Sequence, residues 1–207
     1  MNTMILKIVP GGAFVENTYI LQSKDSKELI LIDPGSQTLE IEESLSELSF
    51  NSIHIWNTHG HLDHAYGVDY FMKKYKADFN IHMKEVPILQ AMTTAASRFG
   101  IPEFSDAVIP EIDNFIEEEK QYEVAGLNFK TLLVPGHSPG SICFHFTKEL
   151  NPEEGLDKDL MICGDTVFAG SVGRVDLTGG TNMEELLGNI AEKILTQEKS
   201  VSVIDEN

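Results

Sequence analysis

The run Thr58-His59-Gly60-His61-Leu62-Asp63-His64 leaves a chain of this kind few ways to fold around it. It sets three histidines and an aspartate within six residues, directly after the apolar segment Ile53-His54-Ile55-Trp56. That segment reads as a strand, so the histidines fall on a loop just past a strand end. Asp63 and His64 follow where the chain turns toward a helix, and Gly60 allows an unusual backbone between the ligands. Neutral imidazole and carboxylate are the nitrogen and oxygen donors that suit Zn²⁺, Fe²⁺ or Mn²⁺. A polar loop that happens to be rich in histidine is the plain alternative. Four potential ligands on one tight turn weigh against it.

Around this turn there is material for one core. The 207 residues are 42% hydrophobic and 23% charged, which is ordinary for a globular domain and too apolar for disorder. With 33 acids against 15 bases the formal charge is −18, which argues against a nucleic-acid or anionic-membrane surface. No window approaches the ~18 apolar residues of a membrane span. The start, Met1-Asn2-Thr3-Met4-Ile5-Leu6-Lys7, lacks the basic and long apolar segments of a leader, so a cytoplasmic location is expected. Cys143 and Cys163 lie in apolar strand-like runs and read as buried small hydrophobes, a single disulfide between them being left open.

The remaining pattern is strands followed by helices, twice. Short strands are expected at 5–9, 18–21, 29–32, 53–56 and near 79–81, with helices over 38–48, 64–75 and 84–97. Residues 99–119 carry Gly, Pro and acids and read as a long loop. With Arg98 and Phe99 that loop could overhang a site. A second strand group follows at 121–124, 127–134, 141–146 and 159–163, Ala125-Gly126 fitting a two-residue hairpin. The clearest helix opens with a capping box, Thr181-x-x-Glu184, and aligns Met183, Leu186, Leu187, Ile190 and Ile194 on one face. A last strand is expected at 201–204. Two packed sheets with helices outside, in one domain spanning 1–207, is the reading.

Two further sites share the setting of a strand end followed by glycine or proline. His137 stands between two Pro-Gly turns in Val134-Pro135-Gly136-His137-Ser138-Pro139-Gly140, and Asp165 follows Ile162-Cys163-Gly164. Asn17-x-Tyr19-x-Leu21, Leu31-Ile32-Asp33-Pro34-Gly35, Gly164-Asp165-Thr166-x-Phe168, Gly173-Arg174-x-Asp176 and Gly179-Gly180 complete an ordered set. With these motifs the chain resembles the metallo-β-lactamase fold superfamily, and most closely its glyoxalase II-type branch. The resemblance implies an α+β fold, a four-layer αββα sandwich with the metal site at one edge. It implies that His59, His61 and His137 hold a first metal, that Asp63 and His64 hold a second, and that Asp165 bridges them. Two zinc ions are expected, with iron or manganese suiting the same donors. Asp63 would also orient the attacking hydroxide, and Asp33 would brace the histidine loop from behind.

The family usually adds a histidine to the second metal from a loop after the last strand. Here Asn207 falls about where that histidine is expected, so the second site is expected to be weaker than the first, and the domain to lack the last metal-ligand loop and any C-terminal helical extension. His54, His82 and His145 sit in strand-like segments and read as packing or supporting residues. The implied activity is hydrolysis of a thioester such as a hydroxyacyl-glutathione, a small anionic substrate, with Arg174 either contacting its carboxylate or bracing a loop through Asp176. Two alternatives stand beside it: a persulfide dioxygenase-like enzyme with one iron at His59, His137 and Asp165, and a fold member with a degraded second site acting as a binding protein. The oligomeric state is left open.

Overall fold

The computed structural model describes residues 4–37, 39–168, 170–197 and 201–204. The position of Asn207 lies outside them. A first sheet has the order β1 (Ile5–Gly11), β2 (Glu16–Gln22), β3 (Glu28–Ile32), β4 (Ser52–Trp56), β5 (Asp78–His82), β6 (Asn114–Ile116). Its first three strands form an antiparallel meander, and β3 to β6 run parallel. Parallel neighbours need crossovers, provided by α1 (Leu39–Ser46), by α2 (Leu62–Ala65) with α3 (Val68–Tyr75), and by α4 (Val86–Gln90) with α5 (Met92–Phe99).

The second sheet contains β7 (Gln121–Val124), β8 (Leu127–Leu133), β9 (Ile142–Phe146), β10 (Asp159–Ile162) and β13 (Val201–Ile204), ordered β13-β10-β9-β8-β7. β11 (Val167–Phe168) and β12 (Ser171–Val172) make a separate small ribbon, and α6 (Met183–Lys193) crosses over before β13 pairs parallel to β10.

Alternation along the strands sorts the side chains into three apolar layers. Leu29, Leu31, Ile53 and Ile55 face outward from the first sheet and pack with Ile41, Leu45, Val68 and Phe71 of the helices. Their neighbours Ile30, Ile32 and Trp56 face inward and meet Phe129, Phe144, Phe146 and Ile162 of the second sheet. Cys143, Met161 and Cys163 face outward there, against Leu186, Ile190 and Ile194. Strands covered on both faces read as continuous apolar runs for this reason. The result is the expected four-layer αββα sandwich. Both cysteines are buried thiols, and no described helix is long and apolar enough to cross a membrane.

Three local expectations differ from the structure. The stretch 99–119 contains β6, which adds an edge strand to the first sheet, and Phe104 from it is buried against Tyr66. Phe99 packs edge-on against Phe14, with ring centres 5.3 Å apart. The cap of α6 is Asn182, whose side chain accepts from the Glu185 N–H at 2.9 Å, one residue later than the Thr181 box. Met183 and Leu187 are exposed, so the buried face of α6 is the narrower stripe of Leu186 and Ile190, continued by Ile194 just past its end. At the hairpin both central residues have positive φ, 53° for Ala125 and 76° for Gly126, as a turn matching strand twist requires.

Candidate metal centre

The two sheets bring several strand ends to one edge. β3 ends at Asp33, β4 runs into Thr58 and His59, β8 leads to His137, and β10 leads to Asp165. Asp33 turns there with φ 50°, and its buried carboxylate accepts from the Thr58 N–H at 2.7 Å and from the Thr58 hydroxyl at 2.5 Å. Two glycines permit the tight approach of loops. A side chain on Gly35 would collide with the Asp63 carbonyl, and one on Gly173 with the Asp165 carbonyl.

His59, His61 and His137 are all buried and converge. His61 Nδ1 lies 2.8 Å from His137 Nε2, which lies 3.2 Å from His59 Nε2. Each ring's other nitrogen is already engaged. His59 Nδ1 donates to the Thr58 hydroxyl at 3.0 Å, His61 Nε2 to the Thr178 carbonyl at 3.1 Å, and His137 Nδ1 to the Arg174 carbonyl at 2.8 Å. Those outer bonds fix the tautomers and leave three lone pairs facing one point. Burial, with the neighbouring imidazoles, holds His59 far below its ordinary pKa; burial also lowers His61 and His137. Neutral nitrogens crowded this closely repel unless a cation lies among them. This donor set fits a metal ion.

Beside the trio lies a more acidic group. The His64 ring is buried, with Nδ1 3.0 Å from Asp33 Oδ2 and Nε2 3.2 Å from both Glu16 Oε2 and Asp165 Oδ1. Burial works to lower the His64 pKa, but Glu16, Asp165 and Asp33 outweigh it and hold the ring well above its usual value. Asp165 feels the reverse: burial raises its pKa, and His64 and His137 pull it below the carboxylate range. Its second oxygen, Oδ2, is 3.4 Å from His137 Nε2. Ligand atoms of Glu16, Asp63 and His64 lie within 4.8 Å of one another. All six expected ligand positions, His59, His61, Asp63, His64, His137 and Asp165, therefore meet at one edge.

Arg174 is exposed and its guanidinium is paired with the Asp176 carboxylate at 2.6 and 2.8 Å. His54 pairs with Asp78, His82 with Glu118, and His145 lies 3.5 Å from Asp159, all away from the convergent group.

Two acids escaped the sequence reading. Glu85 is fully buried, and its carboxylate accepts from Gly60 N at 2.9 Å, Gly140 N at 2.6 Å and Ser138 Oγ at 2.8 Å. It thereby ties the His59–His61 loop to the His137 loop. The available signal was its place on the buried stripe of its helical segment, three, four and seven residues before the buried Ile88, Leu89 and Met92. Glu16 opens β2, and because β2 is antiparallel to β3 its start adjoins the end of β3 at Asp33. Only the pairing reveals that.

The family model of the metallo-beta-lactamase superfamily matches residues 11–200. The probable metallo-hydrolase YqgX of Bacillus subtilis (strain 168) is 32% identical over 188 residues, covering 91% of this chain and 82% of that protein. Hydroxyacylglutathione hydrolase GloC of Haemophilus influenzae is 29% identical over 204 residues, covering 97% and 89% respectively. The crystal structure of the BLEG-1 B3 metallo-beta-lactamase aligns with a TM-score of 0.80 at 29% identity, covering 96% of this chain and 90% of that one.

Proposed function

The chain belongs to the metallo-beta-lactamase superfamily and is a metal-dependent hydrolase, and within that class we propose that it cleaves an anionic thioester of the hydroxyacyl-glutathione type. The observation that carries the two-ion part of this reading is the position of Asp165, whose two oxygens reach toward His64 on one side and His137 on the other. In this reading His59, His61 and His137 would hold one ion and Asp63 and His64 another, with Asp165 placed between the two sets. Zinc is the expected metal, and iron or manganese suits the same donors. Such ions, when bound, lower the pKa of water and polarise a scissile carbonyl.

The chain's own residues do the positioning. The relay from His59 through Thr58 to Asp33 fixes that imidazole, and the Arg174 carbonyl fixes His137. Asp63, half-buried beside the cluster, accepts a hydrogen bond from the attacking water and orients it. Arg174 offers the exposed cation for the carboxylate of the thiol carrier, and the substrate must compete with Asp176 for it. The relation to a hydroxyacylglutathione hydrolase supports the thioester, and the resemblance of the whole motif set supports it further.

The test is hydrolysis of S-lactoylglutathione by metal-loaded protein, with metal content measured on the same sample. His59→Ala is expected to lower kcat/KM by about 100-fold or more and to release metal. Oxygen uptake on glutathione persulfide, or hydrolysis of a chromogenic β-lactam, in place of thioester turnover would replace this reading with oxidation or with lactam cleavage.

A further inference from the structure

The metal-centre reading leaves one buried carboxylate unassigned. Glu16 is 5% exposed and stands at the start of β2, beside the acidic half of the cluster. Its Oε1 accepts from the Asn17 N–H at 3.0 Å, which turns Oε2 toward His64 Nε2 at 3.2 Å. Asp165 Oδ1 approaches the same nitrogen at 3.2 Å from another element. Asp63 presents its own oxygen to this group, within 4.8 Å. Carboxylates of Glu16 and Asp165 thus meet one imidazole nitrogen, and a third carboxylate, from the partly buried Asp63, lies within 4.8 Å of Glu16 and His64 ligand atoms. The residue before Glu16, Val15, has φ 60°, a conformation that β-branched side chains strongly disfavour, and it delivers Glu16 to this place.

Charge settles what the arrangement is built to hold. Glu16, Asp33, Asp63 and Asp165 bring four carboxylates to the cluster, and among the ion pairs of the described residues their partners are the His64 and His137 rings and no Lys or Arg. A buried carboxylate group of this density is tolerable when cations are paired with it. The donor sets of the two halves also differ in kind. The trio is nitrogen-rich, whereas Glu16, Asp63, Asp165 and His64 offer three oxygens and one nitrogen. Carboxylate oxygens suit hard ions such as Mn²⁺, and imidazoles suit zinc.

We propose that Glu16 is a further protein ligand of the second ion, making that position oxygen-rich and suited to Mn²⁺ or Fe²⁺ beside a nitrogen-rich first position. The inference rests on the reading of the cluster as a metal centre, and not on the identity of the substrate.

Metal-free protein titrated with Mn²⁺ alone, with free Mn²⁺ followed by electron paramagnetic resonance, tests it. Wild type is expected to bind two equivalents. Glu16→Gln is expected to weaken one of them by about tenfold or more and to leave the other unchanged. Glu16→Asp keeps the charge but withdraws the oxygen, and is expected to fall between. Circular dichroism of the metal-free variants checks that they fold. Should they not fold, the structure of Mn²⁺-loaded wild type decides without them, since Glu16 must then lie in the coordination sphere of the ion next to His64. Two unchanged equivalents in Glu16→Gln overturn the proposal, as does equal weakening of both, or an ion held with Glu16 turned away. Wild type that binds no Mn²⁺ and no Zn²⁺ overturns the metal-centre reading itself, a different failure.

Discussion

Glu85 shows how a single residue can govern a site it does not enter. Its carboxylate accepts three hydrogen bonds from two loops whose histidines are 78 residues apart, and it does so in full burial. Burial raises its pKa, and the Ser138, Gly60 and Gly140 donors work against that rise. Replacing it by alanine leaves the buried Gly60 and Gly140 N–H groups without an acceptor and the Ser138 hydroxyl with only the Ser141 hydroxyl, 2.7 Å away. Glu85→Ala is therefore expected to cost about 3 kcal/mol or more in denaturant unfolding, and to weaken metal binding about 10–100-fold. A loss below about 1 kcal/mol with unchanged metal affinity would show that water replaces the carboxylate without consequence. The histidine run was legible in the sequence because its ligands are local, whereas Glu85 gave only the weak signal of an acid on an apolar stripe. Glu16 gave none, since nothing in its neighbours announces a partner 48 residues away at His64.

At the scale of elements, caps and cross-strand pairs make separable predictions. Asn182 accepts the Glu185 N–H, and Thr181 is held through its own N–H by the Gly136 carbonyl at 2.9 Å. Asn182→Ala is expected to destabilise by about 1 kcal/mol and Thr181→Ala by much less. The reverse order in denaturant melts would restore the capping box one residue earlier. Both readings lie within the usual uncertainty of a helix end, which local sequence does not resolve when two capping residues stand side by side. On β4 and β5, His54 and Asp78 are register partners and their side chains meet at 2.6 Å. The hydrogen bond to Asp78 raises the His54 pKa above the ordinary histidine value of 6.5, although burial opposes it. A raised histidine pKa stabilises the fold fully below the unfolded value, and the benefit is lost as pH rises through the folded value. Thermal melts from below 6.5 upward should show wild type losing stability relative to His54→Gln. A constant difference across that window would remove His54 from the account. The strands themselves were legible from their apolar runs; β6 was not, because three residues, Asn114–Ile116, carry too little pattern and take their structure from pairing with β5.

For the whole molecule, the −18 charge acquires a local meaning. Four of its carboxylates lie at the metal edge, where bound cations would offset them. Chelation should therefore lower the melting temperature. With free metal at about 100 times Kd, binding stabilises by about 2.7 kcal/mol, or about 5–10 °C for a chain of this size, measured as the difference between metal-loaded and chelated samples. An unchanged melting temperature would mean that the cluster binds no metal tightly enough to matter. By itself the sequence determined two packed sheets with helices outside and the donor-rich run from His59 to His64, because both are written in short spacings: alternation along strands, and potential ligands one or two residues apart after a strand end. His137 and Asp165 joined them only through the family resemblance. The tertiary structure alone decided which loops meet, that Asp165 reaches toward both His64 and His137, and that Glu16 and Glu85 lie against the cluster. Those contacts join residues 25 to 101 positions apart, and they depend on strand order and register, which no local spacing encodes.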